Sequence, residues 1–277
     1  MKKAWIPFGL LLAPLLAAVG WAAPAVTHFV TGGHSIYHLR PATVERGGGR
    51  VIIGAAYDGA VLCHTPTGEL RWAAETGGSF PFDLCVADIN GDGLDEVIVA
   101  AADGVLYAIG PDGQRLWSFK TAPPLFQVCA AKQPDGRCLL LTGGAGQVLY
   151  ALSPEGKLQG QLPLGVPIRH LRAGDILGQG RDLVAVATTT GALAGKLGLS
   201  LVDPRDLGRL WTQTNLGAYA PNSGRRFFSM AIVDLDHDRK QDILLSGTWG
   251  DHGKIYAFDQ AGQQRFAKSD PRTPNVP

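Results

Sequence analysis

Oxygen-bearing side chains alternate along the segment Asp88–Glu96, which runs directly into the apolar stretch Val-Ile-Val-Ala. Asp88, Asn90 and Asp92 occupy every second position, so their side-chain oxygens can converge on one side of a tight loop, with the Leu94 carbonyl beside them. Hard oxygen donors of this kind suit Ca²⁺. This first acidic loop therefore predicts a calcium site, with an empty Asx-type turn as the alternative.

The first acidic loop is not an EF-hand. An EF-hand places a bidentate Glu at its twelfth position and then begins a helix, whereas that position here is Val99, inside a β-branched run. The loop therefore predicts a calcium site in a β-protein.

A second acidic loop runs from Asp234 to Asp242 and also leads into a strand-like segment. Packing four Asp into nine residues creates like-charge repulsion that a divalent cation would relieve. Arg239 replaces the glycine at position six, which predicts either backbone strain or a different turn, and an acidic turn neutralised by Arg239 and Lys240 is the alternative to a metal site. The predicted ligands, weaker than in the first loop, are Asp234, Asp236, Asp238, the Lys240 position and Asp242.

A third version of the loop, Asp175–Asp182, keeps the glycines and the outer Asp residues. Leu177 and Gln179 replace the inner oxygen donors. We expect that the turn is retained here and the metal site is lost.

Two further segments carry candidate ligand-binding residues. Trp249, Asp251 and His252 form a turn that could stack on a sugar ring, with an ordinary turn between strands as the alternative. The insertion 215–226 contains Tyr219, Arg225 and Arg226, and a decorative surface loop is its alternative. The histidines are scattered singly, and neither a Gly-x-Ser-x-Gly nor a His-Glu-x-x-His motif occurs.

The elements that must position these residues are repeated. Five apolar runs begin at 51, 97, 139, 183 and 243, and most of their separations match the length of a propeller blade. Each run is preceded by one short apolar segment and is followed by two more, so each repeat has four strands. Pro and Gly form the turn before the last strand in most repeats.

An aromatic residue marks the last strand in most repeats, and we expect it to wedge between neighbouring sheets. The equivalent position in the third repeat is Gly160. The positions are Trp72, Trp117, Gly160, Trp211 and Phe266.

Tandem four-stranded sheets cannot bury both faces alone, so they predict an all-β fold, a β-propeller over residues 26–277. Five blades are visible. A closed five-blade ring and part of a larger ring both remain possible from the sequence.

Composition and net charge limit the classes of partner that the protein is expected to bind. The chain of 277 residues has 45% hydrophobic residues, 37 Gly and 18 Pro, with a formal charge of +1. These values are typical of a globular chain with short strands and tight turns, and we expect no nucleic-acid partner.

Residues 1–25 are typical of a signal peptide, with Lys2 and Lys3 before an apolar stretch and small residues at a cleavage site near Ala23 or Val26. We therefore expect an exported protein, periplasmic or extracellular. An uncleaved membrane anchor is the alternative, and only in that case would the protein contact a membrane.

Export permits disulfides among the four cysteines, Cys63, Cys85, Cys129 and Cys138. Cys129 and Cys138 flank a turn and form the first candidate pair across a hairpin. Buried free thiols are the alternative.

The acidic loops resemble the FG-GAP or VCBS repeats of integrin-alpha-type propellers, whose calcium loop reads Asp-x-Asp/Asn-x-Asp-Gly-x-x-Asp/Glu. The resemblance covers roughly residues 34–268 and implies that Ca²⁺ lies between the first two strands of a blade. It adds Glu96 to the ligands of the first acidic loop. Asp95 lies one residue before this last ligand position of the motif. The side-chain ligand positions that match are Asp88, Asn90, Asp92 and Glu96, and Asp234, Asp236, Asp238 and Asp242.

The Gly-x-x-x-Trp elements Gly68–Trp72 and Gly113–Trp117 resemble the blades of pyrroloquinoline-quinone enzymes, and non-enzymatic propellers of outer-membrane assembly share them. The expected function is a calcium-stabilised binding or scaffold module with a protein or carbohydrate ligand. The alternative is a propeller enzyme, either a polysaccharide lyase or a quinone-dependent oxidoreductase. Titratable side chains around the central channel mouth would favour the enzyme.

Overall fold

The computed structural model describes residues 31–122, 124–189, 196–218, 229–246 and 255–268, in which every regular element is a strand. Twenty strands form five separate four-stranded antiparallel sheets. Each sheet takes four consecutive strands in sequence order, so each sheet is a meander, and we call it a blade. This arrangement confirms the predicted all-β propeller with four strands per repeat. The described residues contain no helix of the length and apolarity needed to cross a membrane.

The strands are numbered in chain order. Blade 1 contains β1 (Ile36–Ala42), β2 (Val51–Ala56), β3 (Ala60–His64) and β4 (Leu70–Glu75). Blade 2 contains β5 (Pro81–Ala87), β6 (Glu96–Ala101), β7 (Val105–Ile109) and β8 (Arg115–Lys120). Blade 3 contains β9 (Leu125–Lys132), β10 (Cys138–Gly144), β11 (Val148–Leu152) and β12 (Leu158–Pro163). Blade 4 contains β13 (Ile168–Gly174), β14 (Leu183–Thr189), β15 (Lys196–Val202) and β16 (Arg209–Ala218). Blade 5 contains β17 (Met230–Val233), β18 (Asp242–Ser246), β19 (Ile255–Phe258) and β20 (Gln264–Lys268).

The middle strands are apolar on both faces because a blade packs against a neighbour on each side. Ile98 and Val99 are adjacent on β6, so they point to opposite faces of the sheet. Ile98 packs in the core shared with blade 3, beside Leu140, whereas Val99 packs in the core shared with blade 1, beside Ile53. All of β6 is buried, while the outermost strand β8 alternates between exposed and half-buried residues.

The tryptophans of the outermost strands join blade 1 to blade 2, blade 2 to blade 3 and blade 4 to blade 5. Trp117 Nε1 donates to the Pro154 carbonyl at 2.8 Å, and its ring covers Gly156, where a Cβ would lie only 2.5 Å from Trp117 Cδ2. Gly156 has a φ of 75°, which glycine adopts without strain. Trp72 and Trp211 contact the turns of blades 2 and 5 in the same way. The predicted wedging of these aromatics is confirmed for all three tryptophans.

The innermost strands β1, β5, β9, β13 and β17 pack against one another in succession around the centre. No comparable packing joins β17 to β1 within the residues that the structure describes. These residues therefore form an arc of five blades, and blades 1 and 5 are not joined through their innermost strands.

The predicted disulfide between Cys129 and Cys138 is wrong. In the β9–β10 pair, Cys129 faces Leu141 and Cys138 faces Lys132, so the two cysteines are three positions out of register. Three positions span about 10 Å, whereas a disulfide needs Cα atoms within roughly 7 Å. The two side chains also lie in different cores, and all four cysteines are free thiols. Burial raises the pKa of Cys85 to about 12.

Candidate functional site

The first acidic loop connects β5 to β6, and Asp88 shapes it. Asp88 Oδ1 accepts hydrogen bonds from the amides of Gly91 and Asp92, and Oδ2 accepts one from Gly93 at 2.8 Å. Gly91 and Gly93 have φ angles of 84° and 89°, the left-handed conformation that lets consecutive amides turn toward one carboxylate. The sequence thus folds the loop around its own first carboxylate.

Glu96 closes the loop from the first position of β6 and is only 1% exposed. Its two oxygens accept hydrogen bonds from the Ile89 amide and from Asn90 Nδ2, both at 3.0 Å. Burial, together with the nearby charges of Asp92 and Asp88, raises the pKa of Glu96 to about 7. Burial and the two neighbouring carboxylates therefore make negative charge on Glu96 unfavourable.

The first acidic loop offers oxygen donors of the kind that a hard divalent cation prefers, but within the described residues three carboxylates bring their oxygens within 4.8 Å of one another in the second acidic loop and not in the first. Asn90, Asp92, Leu94, Glu96 and Leu116 line a cavity of about 650 Å³ between blades 1 and 2, together with residues of blade 1 that include Arg71. Within the described part of the chain, no ion pair reaches Asp88, Asp92 or Glu96. A cation with oxygen preference would neutralise the group, and the carboxylates supply the ligands that Ca²⁺ prefers.

The second acidic loop connects β17 to β18 and has the same backbone design. Asp234 accepts hydrogen bonds from the amides of Asp238 and Arg239, and Asp238 accepts one from the Lys240 amide. Asp234, Asp236 and Asp238 each offer an oxygen within 4.8 Å of the others. Asp242 is fully buried, and burial raises its pKa.

Two residues of the second acidic loop hold strained backbone. His237 has a φ of 62° and Arg239 a φ of 70°, where the first acidic loop has glycines. The left-handed conformation is unfavourable for residues with a Cβ. The strain predicted at Arg239 is confirmed, and His237 shares it.

The third version of the loop keeps its turn, as predicted. Asp175 Oδ2 accepts a hydrogen bond from the Gly180 amide at 2.8 Å, the counterpart of the contact between Asp88 and Gly93. Gly178 and Gly180 again have positive φ angles of 66° and 73°.

Asp95 has a role that the sequence pattern did not reveal. Its Oδ2 accepts a hydrogen bond from the Thr43 amide at 2.6 Å, and its own amide donates to the Thr43 carbonyl. Asp182 makes the same pair of bonds with Lys132, so the eighth loop position joins one blade to the preceding blade. The recurrence of Asp at this position in two loops was the available signal.

A second candidate site lies along the innermost strands, at their first residues. Each of four successive blades has a β-bulge there, and the residues at the bulges are equivalent. Bulges re-aim side chains and are frequent beside functional sites. The four residues are Tyr37, Phe82, Phe126 and Arg169.

Rings from these bulges and from two adjoining loops form a continuous arc. Tyr37 contacts Tyr57 and Phe80 with centroid distances of 5.0 and 4.9 Å. Phe80 contacts Phe82 at 5.0 Å, and Phe82 contacts Phe126 at 5.1 Å. The guanidinium of Arg169 lies 4.9 Å from the centroid of Phe126. We call these five rings the aromatic arc; Tyr37 is 41% exposed and Tyr57 is 54% exposed.

Polar side chains beside the aromatic arc bind backbone across blade boundaries. His38 Nε2 donates to the Phe82 carbonyl at 3.0 Å, and Asp83 Oδ2 accepts from the Val128 amide at 3.2 Å. Arg172 Nη1 lies 4.0 Å from Asp83 Oδ2. Burial lowers the pKa of His38 and raises the pKa of Asp83, so both groups are shifted toward their neutral forms. His38, Asp83 and Arg172 are thus titratable or charged side chains on the innermost strands that hold neighbouring blades together.

The remaining candidate ligand-binding residues lie outside the described residues, and the structure does not place them. They are Tyr219, Arg225, Arg226, Trp249, Asp251 and His252.

Comparison with known proteins supports the propeller. Residues 51–164 match a family described as the lambda-carrageenase beta-propeller domain, which covers less than half of the chain. No curated protein matches the sequence significantly.

Solved structures share the fold at low sequence identity. The WD40 domain of Neurospora crassa Pan2 is 13% identical with a TM-score of 0.56, over 86% of this chain and 66% of that chain. BBS1N in complex with ARL6DN is 16% identical with a TM-score of 0.54, over 88% of this chain and 68% of that chain. The chain thus spans about two thirds of each. At this level the protein is a β-propeller.

Proposed function

We propose that the protein is an exported binding module that holds a polysaccharide on the aromatic arc, and that Ca²⁺ in the first acidic loop stabilises its blades. The observation that carries the proposal is the arc itself. It spans three blades and is extended by Arg169 on a fourth.

A polysaccharide fits the chemistry of the aromatic arc. The C–H faces of sugar rings pack on aromatic faces, and the exposed rings of Tyr37 and Tyr57 combine such a face with a hydroxyl that can hydrogen-bond. Arg169 supplies a cation beside Phe126 for an anionic substituent. The matching family is named for a carrageenase, an enzyme of polysaccharide breakdown, and its match includes Tyr57, Phe82 and Phe126.

The test is binding of the mature protein to a panel of neutral and anionic polysaccharides, by calorimetry or affinity electrophoresis. Tyr37→Ala and Tyr57→Ala should each weaken binding about three- to tenfold, because a ring contact contributes about 0.5–1.5 kcal/mol beyond its buried area. Leu158→Ala is the control, since Leu158 is 47% exposed on the outermost strand of blade 3. Full affinity in both tyrosine variants would exclude the aromatic arc as the site.

A protein ligand is the second candidate. Tyr and Arg are enriched at protein interfaces, and the similar propeller BBS1N was solved in complex with another protein, ARL6DN. Capture of a partner protein that the Tyr57→Ala variant loses, with no polysaccharide bound by the native chain, would favour this candidate.

A polysaccharide lyase is the enzymatic candidate, favoured by the cluster of His38, Asp83 and Arg172 beside the arc. A histidine with a lowered pKa is a suitable base for abstracting a proton from a sugar carbon, and an arginine can neutralise a uronate. Lyase action would create unsaturated uronate ends, which absorb ultraviolet light. No increase in absorbance with polyuronates would exclude it; an increase abolished in His38→Ala would support it.

Calcium in the first acidic loop would be held by Asp88, Asn90, Asp92, the Leu94 carbonyl and Glu96. Its role would be structural, because neutralising the loop stabilises the connection between β5 and β6. Chelation should lower the melting temperature, since a ligand present at about 100 times its Kd stabilises by about 2.7 kcal/mol. Asp92→Asn should reduce the effect, and Glu69→Gln, an exposed carboxylate outside the loop, should not. A melting temperature that chelator leaves unchanged would contradict the site.

Export to the periplasm or the extracellular space is part of the proposal, and it is supported by the signal-peptide pattern of residues 1–25. Mass spectrometry of the exported fraction should find an N-terminus near Ala23 or Val26. A full-length chain retained in the membrane fraction would instead support an uncleaved anchor.

A further inference from the structure

Arg265 of β20 reaches across blade 5 to the second acidic loop. Its Nη1 donates a hydrogen bond to Asp236 Oδ2. Its Nε lies 2.8 Å from Asp242 Oδ1, so the two side chains also form an ion pair. Asp242 is fully buried, so its carboxylate needs a neighbouring positive charge. The guanidinium therefore stands between the third and ninth positions of the loop, where two of the predicted metal ligands are.

The two cationic residues within the loop, Arg239 and Lys240, do not neutralise its carboxylates. Within the described residues, neither Arg239 nor Lys240 forms an ion pair with a loop carboxylate, and their backbone amides make the contacts described above. The hydrogen bond from Arg265 lowers the pKa of Asp236. Arg265 of β20 thus neutralises part of the negative charge of the second acidic loop.

The register of the outermost strand shows which residues correspond to Arg265 in the other blades. Arg265 is the residue at the bulge between the pairs Ala257–Phe266 and Phe258–Gln264. In blade 2 the same bulge contains Leu116, between Ala108–Trp117 and Ile109–Arg115. Leu116 lines the cavity beside the first acidic loop, together with Asn90, Asp92 and Glu96. Blade 2 thus has an apolar side chain where blade 5 has a cation.

Blade 1 repeats the arrangement of blade 5. Arg71 is its bulge residue, between Cys63–Trp72 and His64–Leu70. Arg71 Nη2 lies 2.7 Å from Oε2 of Glu45, in the loop between β1 and β2 of the same blade. An arginine at this bulge therefore reaches the loop of its own blade in two independent cases.

We propose that the guanidinium of Arg265 occupies the cation position of the second acidic loop, so that this loop holds no metal in the native protein. Leu116 leaves the corresponding position of the first acidic loop open to a divalent cation. The bulge residue of the outermost strand thereby decides whether an acidic loop takes an internal or an external cation. The part that concerns the first loop rests on the proposed function, and the part that concerns Arg265 does not.

The test is the number of Ca²⁺ ions bound per chain, measured by calorimetry on the mature protein. The native chain should bind one ion, Arg265→Leu two, and Leu116→Arg none. Adding Asp236→Asn to Arg265→Leu should return the number to one. The matched control is Leu210→Arg, which changes the bulge of blade 4, whose loop lacks the full set of oxygen donors, and it should not change the number.

Arg265→Leu leaves Asp242 buried without its cation, so the variant should melt at a lower temperature in chelator and recover with Ca²⁺. Arg265→Gln, which keeps a polar side chain, provides a second variant that should also gain an ion. A folded Arg265 variant that gains no ion would overturn the proposal, as would loss of the native ion on Asp234→Asn. If the first loop binds no calcium, the native chain binds none and Arg265→Leu binds one, which refutes the calcium site of the proposed function but supports the role of Arg265.

Discussion

Replacing Arg239 by glycine should stabilise the protein, although a charged side chain is removed from an acidic loop. Arg239 has a φ of 70°, whereas Gly93, its counterpart in the first acidic loop, has a φ of 89°. The Arg239 side chain is exposed, and the contact that shapes the loop is made by its backbone amide to Asp234 Oδ2 at 3.0 Å. Glycine keeps that hydrogen bond and removes the strain of the left-handed backbone conformation.

The magnitude follows from two opposing effects. A left-handed conformation costs a residue with a Cβ about 1–2 kcal/mol. Glycine loses more conformational freedom on folding than other residues do, and this entropic cost offsets about 0.5–1 kcal/mol of the gain from relieving the strain. Arg239→Gly should therefore raise the free energy of unfolding by about 0.5–1 kcal/mol, or the melting temperature by roughly 1–4 °C.

The assay is urea denaturation in chelator at constant pH, with Arg239→Ala as the matched control. Alanine removes the charge but keeps the strain, so Arg239→Gly should be about 1 kcal/mol more stable than Arg239→Ala. The converse substitution Gly93→Arg should destabilise the first loop by a similar amount, because no atom lies within 4 Å of a Cβ at that position and only the backbone resists. Equal stability of the glycine and alanine variants would refute the reasoning.

Three other outcomes are expected. Trp117→Ala should lower the free energy of unfolding by about 3 kcal/mol, as measured in urea. Trp117→Phe keeps an aromatic ring but loses the indole hydrogen bond and part of the packing, so it should cost less, about 1–2 kcal/mol; equal losses would contradict this. Asp95→Ala should cost about 1–2 kcal/mol and accelerate hydrogen exchange of the Thr43 amide, while unchanged exchange would exclude the bond between blades. The pKa of Glu96, raised by burial to about 7 from its ordinary 4.5, predicts that without metal its contribution to stability is full below pH 4.5 and is lost as the pH rises through 7. Melting in chelator across this range should show that decline in the native chain and a flatter profile in Glu96→Gln; stability that rises with pH would contradict it.

Much of the fold was predictable because each blade repeats a local pattern. Period-2 alternation and Pro-Gly turns gave the four strands per repeat, and the indole of Trp117 needed a partner that only a neighbouring sheet could supply. The disulfide prediction failed because the register of β9 and β10 is set by side-chain alternation over the whole strand, so Cys129 and Cys138 face different partners.

The aromatic arc, unlike the turns of the acidic loops, could not be predicted from the sequence. The aromatic arc joins residues from three blades, and Tyr37 and Phe126 are far apart in the sequence, so no local spacing indicates their approach. The β-bulges that aim them are also invisible in the alternation, because a bulge adds one residue without changing the composition of the strand.

The sequence by itself determined the β-propeller architecture and the turns of the acidic loops, because those depend on residues within a few positions of one another. Asp88 bonds the amides of its own loop, and the glycines that allow it are adjacent. The tertiary structure alone decided which charges meet across the sheet. Arg265 lies 23 positions after Asp242, and only the pairing of β18, β19 and β20 brings its guanidinium to that buried carboxylate.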